Sequence, residues 1–276
     1  MFIPIDSLED VEKFKVVKEQ LYDINGKDVP GAFTIRREDT ETHFGTVGPR
    51  YVPIQLDDML SILDVATDRI DGLEYDSYTV VGDGKRVVLK SVLTEGIAMG
   101  DDKLDGLIYT VIDNTGAGSN KIIPSTVRIY CDNAFHLIEK RSADTIRHSR
   151  GFATSVDDIV TRVVADVDTI QRFPRTMERL SGTKFTKNQM SKYSQMLVPV
   201  EEDESAQRGN KREELVRLFS EGRGNAGETA WDAFNAVTEY ESSSKRNSPE
   251  KLVRQLMGGA FSRQAFNSLK QMLKWS

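Results

Sequence analysis

The sequence predicts an α+β fold, in which an antiparallel β-sheet packs on helices and a helical region follows it. Two β-rich runs flank the glycine-containing turn at residues 82–84, which is the turn chemistry of a β-hairpin. Apolar residues recur at helical spacing between residues 56 and 70, and again between 156 and 170. The resulting order is a helix, three or four antiparallel strands and then helices.

The first part of the chain contains two predicted helices and one short strand. A short helix at about residues 8–19 precedes a turn at residues 25–26. Residues 45–55, GTVGPRYVPIQ, contain too many glycines and prolines for a long regular element, so we expect a short strand and a turn. The helix at 56–70 has most of its acidic residues opposite its apolar face, and Gly72 ends it.

The middle of the chain continues the sheet. DGLIYTVIDNTGAGSN is a predicted third strand with a glycine-rich turn at its end. The stretch KIIPSTVRIYCDNAFHLIEKRSA begins extended, because Pro124 and the β-branched residues oppose a helix. We expect a helix to follow, with Asp132 or Asn133 as its N-cap.

The remaining elements are predicted helices. Ser155 caps a long helix that Pro174 kinks or ends, and Thr186 caps a short helix that reaches about Met196. VPVEEDESAQRGN is polar and acidic, and we interpret it as a linker or mobile loop. We therefore expect a peripheral N-terminal segment, an α+β core domain, this linker and a C-terminal helical region, at residues 1–44, 45–197, 198–210 and 211–276.

Composition indicates a globular protein of the cytoplasm. The chain has 276 residues, of which 38% are hydrophobic and 29% charged. It contains no apolar run of the roughly 18 residues that a membrane span needs, and its acidic N-terminus does not resemble a secretory signal. The single cysteine cannot form an internal disulfide.

Charge is distributed unevenly along the chain. The net charge is −6, which opposes unspecific binding of polyanions, and seven of the acids lie between residues 57 and 76. Six bases lie between 121 and 150, and six between 172 and 192 with only one acid. These basic segments are either solvated helix faces or parts of a groove for an anionic partner.

The stretch RIYCDNAF contains Cys131, the first candidate for catalytic chemistry. A cysteine near a helix N-terminus, with His136 five residues later, has features of a nucleophile. The alternative is a small buried side chain, which we favour because a helix starting between the two residues does not pair them. We therefore predict no catalytic residue.

The sequence predicts no metal or other cofactor. It lacks the histidine and cysteine spacings of metal sites. VGDGKR contains two glycines and a lysine, but it lacks the spacing of a phosphate-binding loop and connects two strands. We interpret it as a hairpin tip that offers its two cations to a phosphate backbone.

The basic residues suggest a nucleic-acid partner without specifying which kind. If the hairpin and the last strand are neighbours, Lys90 and Arg128 share one face of the sheet, and Tyr109 and Tyr130 are candidates to stack on bases or to fill the core. The candidate DNA-binding residues are Lys85, Arg86, Lys90, Lys121, Arg128, Lys140, Arg141, Arg147, His148 and Arg150.

Four motifs occur in a fixed order: VGPRYVPIQ, RIYCDNAF, IRHSRG and TAWDAFNAVTEY. Together they resemble a family of phage- and plasmid-encoded proteins described as a domain of unknown function. The resemblance covers roughly residues 45–240 and implies family membership without an established activity.

The order of predicted elements also resembles the core of the single-strand annealing superfamily, which includes phage Red-beta and RecT. This likeness implies a positively charged groove that holds a DNA strand, and homo-oligomers that form rings or filaments. The acidic net charge departs from that pattern. We therefore predict a phage or mobile-element protein of the host cytoplasm that anneals DNA, with phage or host recombination proteins as partners. The alternative is a host-interaction or anti-defence protein that acts through its acidic stretches.

Overall fold

The computed structural model is α+β, with two antiparallel sheets and several helices, many of them C-terminal. It describes residues 2–99, 102–128, 133–135, 144–149, 156–200, 206–243, 250 and 261–275. The strands are β1 Ile3–Pro4, β2 Val16–Tyr22, β3 Asp28–Arg37, β4 His43–Val47, β5 Leu73–Val81, β6 Arg86–Met99, β7 Asp102–Asp113, β8 Asn120–Arg128, β9 Asn133–Phe135 and β10 Asp144–Ile146. The helices are α1 Leu56–Arg69, α2 Val156–Ser181, α3 Lys187–Leu197, α4 Ala206–Glu221, α5 Ala230–Ser243 and α6 Phe261–Met272.

The large sheet has the strand order β1-β5-β6-β7-β8-β10, and β9 also pairs with β8. The predicted hairpin is confirmed: β5 and β6 pair up to Val81 and Arg86, next to the turn. Helix α1 is confirmed as well, with Met59, Ile62 and Leu63 buried. Helices α1 and α2 contribute to the hydrophobic core on one face of this sheet.

The small sheet, β2-β3-β4, corrects the predicted helix at residues 8–19. Only Leu8–Asp10 form a single 3₁₀ turn, and Val16 begins a strand that pairs with Arg37. Val11, Phe14, Val16 and Ile35 are buried in the same core as α1. The segment predicted to be peripheral is therefore part of the core.

The small sheet packs against the turns of the large one. A Cβ at Gly84 would lie 2.8 Å from the ring of Phe14, and the φ of +101° there also favours glycine. Arg37 is buried beside this turn and pairs with Glu12, Asp39 and Asp83. Hydrogen bonds to Asp39, most strongly, and to Glu12 raise the pKa of Arg37.

A second core lies among the C-terminal half of α2 and the helices α3 to α6. Helix α5 occupies its centre, because residues 231–238 are all buried. Thr186 caps α3 and exchanges hydrogen bonds with Gln189, which confirms the predicted cap. Helix α2 contributes to both cores, with Ile159, Val160 and Val163 in the first and Met177 and Leu180 in the second.

Three further expectations differ from the structure. Pro174 does not end α2, which continues to Ser181 because its two ends pack in different cores. The alternative prediction, a kink at Pro174, is compatible with this continuous helix. Asn133 begins the short strand β9, where a helix was expected. Helix α4 begins at Ala206, inside the predicted linker.

In the part of the chain that the structure describes, no helix has the length and apolarity of a membrane span.

Candidate nucleic-acid interface

The large sheet has two chemically different faces. One face contributes Val87, Leu89 and Ile108 to the hydrophobic core beneath α1 and α2. The other face contributes Val88 and Tyr109 to a separate cluster of buried apolar side chains. Because side chains alternate along a strand, Arg86 and Lys90 lie on the same face of β6 as Val88. Lys121 lies on this face too, because it is two residues from Ile123, which pairs with Tyr109. Arg147 lies two residues after Thr145, the β10 residue opposite Lys121. The basic strip is defined here as Lys85, Arg86, Lys90, Lys121 and Arg147.

Two cations of the basic strip are paired with carboxylates. Arg86 donates from Nε to Asp113 Oδ2 at 3.0 Å, and the Asp113 side chain is only 1% exposed. Lys90 Nζ lies 3.2 Å from Asp76 Oδ2, and the Asp76 side chain is 34% exposed. The first pair is therefore held inside the protein, and the second is accessible to solvent.

The other cations of the strip differ in exposure. Lys85 lies in the turn between β5 and β6, where its N–H donates to the carbonyl of Gly82, and its side chain is exposed. Arg147 is also exposed, and Lys121 is half-buried. Lys85 and Arg147 are therefore the strip residues that an anionic partner reaches most easily.

The structure does not bring every predicted residue to this strip. Arg128 is the last residue of β8, opposite Leu104 of β7. Tyr109 is 6% exposed, and burial raises the pKa of its hydroxyl, so it fills the core and does not present a stacking surface. Four candidates lie outside the described residues, as does Cys131: Tyr130, Lys140, Arg141 and Arg150.

His148 occupies an internal position. Its Nδ1 accepts a hydrogen bond from the N–H of Ile54 at 3.2 Å, and its Nε2 donates to Asn120 Oδ1 at 3.0 Å. The ring stacks on Tyr51 with centroids 4.8 Å apart. Because both ring nitrogens are used internally, His148 has none left for a phosphate or for acid–base chemistry. It joins two motifs that are far apart in the sequence, VGPRYVPIQ and IRHSRG.

A buried polar cluster surrounds this histidine at the ends of β7 and β8. The N–H of Asp113 donates to Asn120 Oδ1 at 2.9 Å, and Asp113 Oδ1 accepts from the N–H and hydroxyl of Thr115. Tyr51 Oη and Asn120 Nδ2 are buried without a partner among the described residues. The cluster fixes the turn that precedes β8 and thereby the position of Lys121.

The stability of the protein should fall as the pH drops below about 6.5, because His148 must stay neutral in the fold. Burial lowers the pKa of His148 from its ordinary value of 6.5. The unfolded chain therefore takes up the proton first, and unfolding is favoured increasingly as the pH falls towards the lowered pKa. We expect His148→Phe to be less stable at pH 7.5, but with a flatter dependence of unfolding free energy on pH between 6.5 and 5.

The control for this prediction is His43→Asn, because His43 is exposed on β4. Urea unfolding at several pH values measures both variants against the parent protein. An equal pH dependence in the parent and in His148→Phe would contradict the role of His148, whereas His43→Asn should follow the parent.

Sequence reasoning missed two buried groups that organise this region. Asn120 and Asp113 lie within DNTGAGSN, which was interpreted only as a glycine-rich turn. Asn and Asp side chains in such a turn commonly hydrogen-bond to the backbone. This tendency is the sequence feature that indicates their structural role. For Arg37 the sequence offers only Asp39 nearby, because its other two carboxylate partners, Glu12 and Asp83, lie far from it in the sequence.

In the described part of the chain, no group of three or more histidine, cysteine, aspartate and glutamate side chains is placed to hold a metal ion.

Comparison with curated proteins and with solved structures gives no match. Comparison with protein families matches residues 43–264 to the family described as "Domain of unknown function (DUF932)". The match covers well over half of the chain and includes the small-sheet strand β4, strands β5 to β10 of the large sheet and helices α1 to α5. The chain therefore belongs to the DUF932 family.

Proposed function

We propose that this protein binds single-stranded DNA along the basic strip and promotes strand annealing as a homo-oligomer, in a phage or another mobile element. The observation that supports this most is that Arg86 and Lys90 of β6 and Lys121 of β8 share one face of one sheet. Contacts to phosphates supply most of the affinity in binding that does not depend on sequence.

The distances between the cations of the basic strip suit the backbone of an extended DNA strand. Arg86 and Lys90 are four residues apart on β6, which corresponds to about 13 Å along the strand. From β6 across β7 to β8 the distance is about 10 Å, at roughly 4.8 Å for each pair of strands. Cations at such distances contact separate phosphates of one strand and leave its bases free to pair.

The carboxylates beside the strip make its cations unequal. A phosphate can replace Asp76 as the partner of Lys90, because this ion pair is solvent-accessible and therefore weak. It cannot readily replace Asp113, which is buried and also binds Thr115. Lys85, Lys90 and Arg147 are therefore the proposed phosphate contacts, and Arg86 mainly adds to the local potential.

Reversing the two exposed charges should weaken DNA binding and flatten its salt dependence. For Lys85→Glu/Arg147→Glu, the slope of log K against log salt should become shallower by about 1.4, at about 0.7 for each lost phosphate contact. At 0.1 M salt this corresponds to a loss of about 25-fold. Fluorescence anisotropy with a labelled 30-nucleotide oligo(dT) measures both quantities.

The matched control is Lys15→Glu/Lys27→Glu, which reverses two exposed lysines of the small sheet's region and gives the same net charge. It should change the slope little. An equal loss in both double variants would contradict a local site, and absence of binding by the parent at low salt would remove the proposal. Light scattering after size exclusion, with and without oligo(dT), tests the homo-oligomer, and annealing of two complementary oligonucleotides tests the activity.

A second candidate function is protein–protein contact through the exposed face of α1. Asp57, Asp58, Asp64 and Asp68 are all exposed there. Of these, Asp57 lies 3.3 Å from Lys13 Nζ. A stoichiometric complex with a basic host protein, lost in Asp64→Lys/Asp68→Lys and accompanied by no binding of DNA, would favour this function over annealing.

A further inference from the structure

The second basic segment, at residues 172–192, forms a surface that the basic strip does not include. Arg175 and Arg179 lie one turn apart near the end of α2, and both are exposed. Lys184 follows in the connection to α3 and is also exposed. Because Arg175 lies twelve residues beyond Val163, about 18 Å along the helix, this surface is separate from the large sheet against which α2 begins.

The end of α6 completes this surface. Trp275 N–H donates to the carbonyl of Lys270, and Lys274 N–H to that of Gln271, which is the hydrogen-bond pattern of a Schellman motif. Lys274 adopts the left-handed conformation that this motif requires, with a φ of 55°. The motif places the Trp275 indole against α2 and leaves the side chain of Lys274 exposed.

The guanidinium of Arg179 lies over this indole. Its guanidinium carbon lies 4.0 Å from the ring centroid of Trp275, a cation–π contact. The hydroxyl of Thr183 donates to the carbonyl of Arg179 at 2.6 Å, which keeps the connection to α3 beside it. A guanidinium held in one plane presents its N–H groups with the geometry that a phosphate accepts.

We propose that this surface is a second phosphate-backbone contact for nucleic acid. It consists of Arg175, Arg179, Lys184 and Lys274 around Trp275, and we name it the α2–α6 patch. The exposed carboxylates beside it are Glu178 on α2 and Glu228, whose carbonyl accepts from the N–H of Phe185. The patch thus carries four cations against two carboxylates in a protein with a net charge of −6.

The chemistry of the patch favours nucleic acid over a lipid surface. Among the described residues, the exposed large apolar side chains are Ile3, Tyr22, Ile24, Met196 and Val200, and none of them belongs to the patch. A membrane-surface site normally adds apolar side chains that enter the lipid. Cations around an aromatic ring, without such side chains, are typical of a surface that holds a sugar–phosphate backbone.

The inference rests on the proposed function, and charge substitutions in the patch test it separately. Lys184→Glu/Lys274→Glu should bind the 30-nucleotide oligo(dT) about 25-fold more weakly at 0.1 M salt, with a slope shallower by about 1.4. Lys274→Gly removes one cation and places glycine at the left-handed position, so it should keep the fold and still flatten the slope by about 0.7. The control is again Lys15→Glu/Lys27→Glu.

Tryptophan fluorescence gives a second readout. Trp231 is 5% exposed and Trp275 is half-buried, so oligo(dT) bound at the patch should change the emission of Trp275. This change should be absent in Trp275→Phe and reduced in Lys184→Glu/Lys274→Glu.

The outcomes separate the two proposals. If the parent binds oligo(dT) and only the strip variant is weakened, the patch inference is wrong and the proposed function stands. If the parent binds no single strand but duplex DNA changes the emission of Trp275, the patch stands without the proposed function. Binding to phosphatidylglycerol vesicles with no response to either nucleic acid overturns the inference, as does no response at all.

Discussion

Replacing Gly45 with alanine is expected to lower the free energy of unfolding by about 3 kcal/mol. Gly45 lies in β4 opposite Ile35, and a Cβ there would be 2.1 Å from the backbone oxygen of Thr115. A backbone oxygen cannot rotate away as a side chain can. The small sheet and the turn before β8 must therefore move apart, and the loss should appear as a lower urea midpoint.

Gly48 supplies the matched control three residues later. A Cβ at Gly48 meets nothing within 4 Å, and its backbone has no positive φ. Gly48→Ala should remain within about 0.5 kcal/mol of the parent, because it removes no contact and only restricts the unfolded chain. Equal stabilities of the two variants would show that the small sheet does not pack tightly on the large one.

Removing the Asp113 carboxylate should lower the free energy of unfolding by about as much as the substitution of Gly45. Asp113→Ala is expected to lose about 3 kcal/mol, because Arg86 and the N–H and hydroxyl of Thr115 lose their acceptor in a buried site. This lies at the lower end of the range for breaking a buried ion pair, since the Arg86 side chain is 34% exposed and regains some hydration.

Asp76→Ala is the control, because Asp76 also pairs with a cation of β6 but lies in solvent. Asp76→Ala should lower the free energy of unfolding by less than about 1 kcal/mol. Freed from its carboxylate, Lys90 should bind oligo(dT) at least as tightly as in the parent. If Asp113→Ala is no less stable than Asp76→Ala, the buried polar cluster does not hold the turn before β8.

The sequence predicted the elements whose signal is local. Helix α1 has its apolar face within fourteen residues, and the β5–β6 hairpin depends on its own turn. Thr186 caps α3 through Gln189, three residues away. In each case the pattern that specifies the element lies within a short stretch of sequence.

The errors occur where a distant partner decides the conformation. Val16 begins a strand because it pairs with Arg37, which is far from it in the sequence. This partner is not visible from local spacing. Pro174 did not end α2, because the two halves of the helix are held in separate cores that outweigh the lost backbone hydrogen bond.

For the candidate site, the sequence alone indicated an α+β fold and two locally basic segments in an acidic chain. The tertiary structure decided which of those cations share a surface. Strand register placed Lys90 and Lys121 on one face of the sheet, burial withdrew His148 from it, and Trp275 joined Arg179 across nearly a hundred residues. Charge is a property of each residue, but a binding surface depends on register and packing between residues that are far apart in the chain.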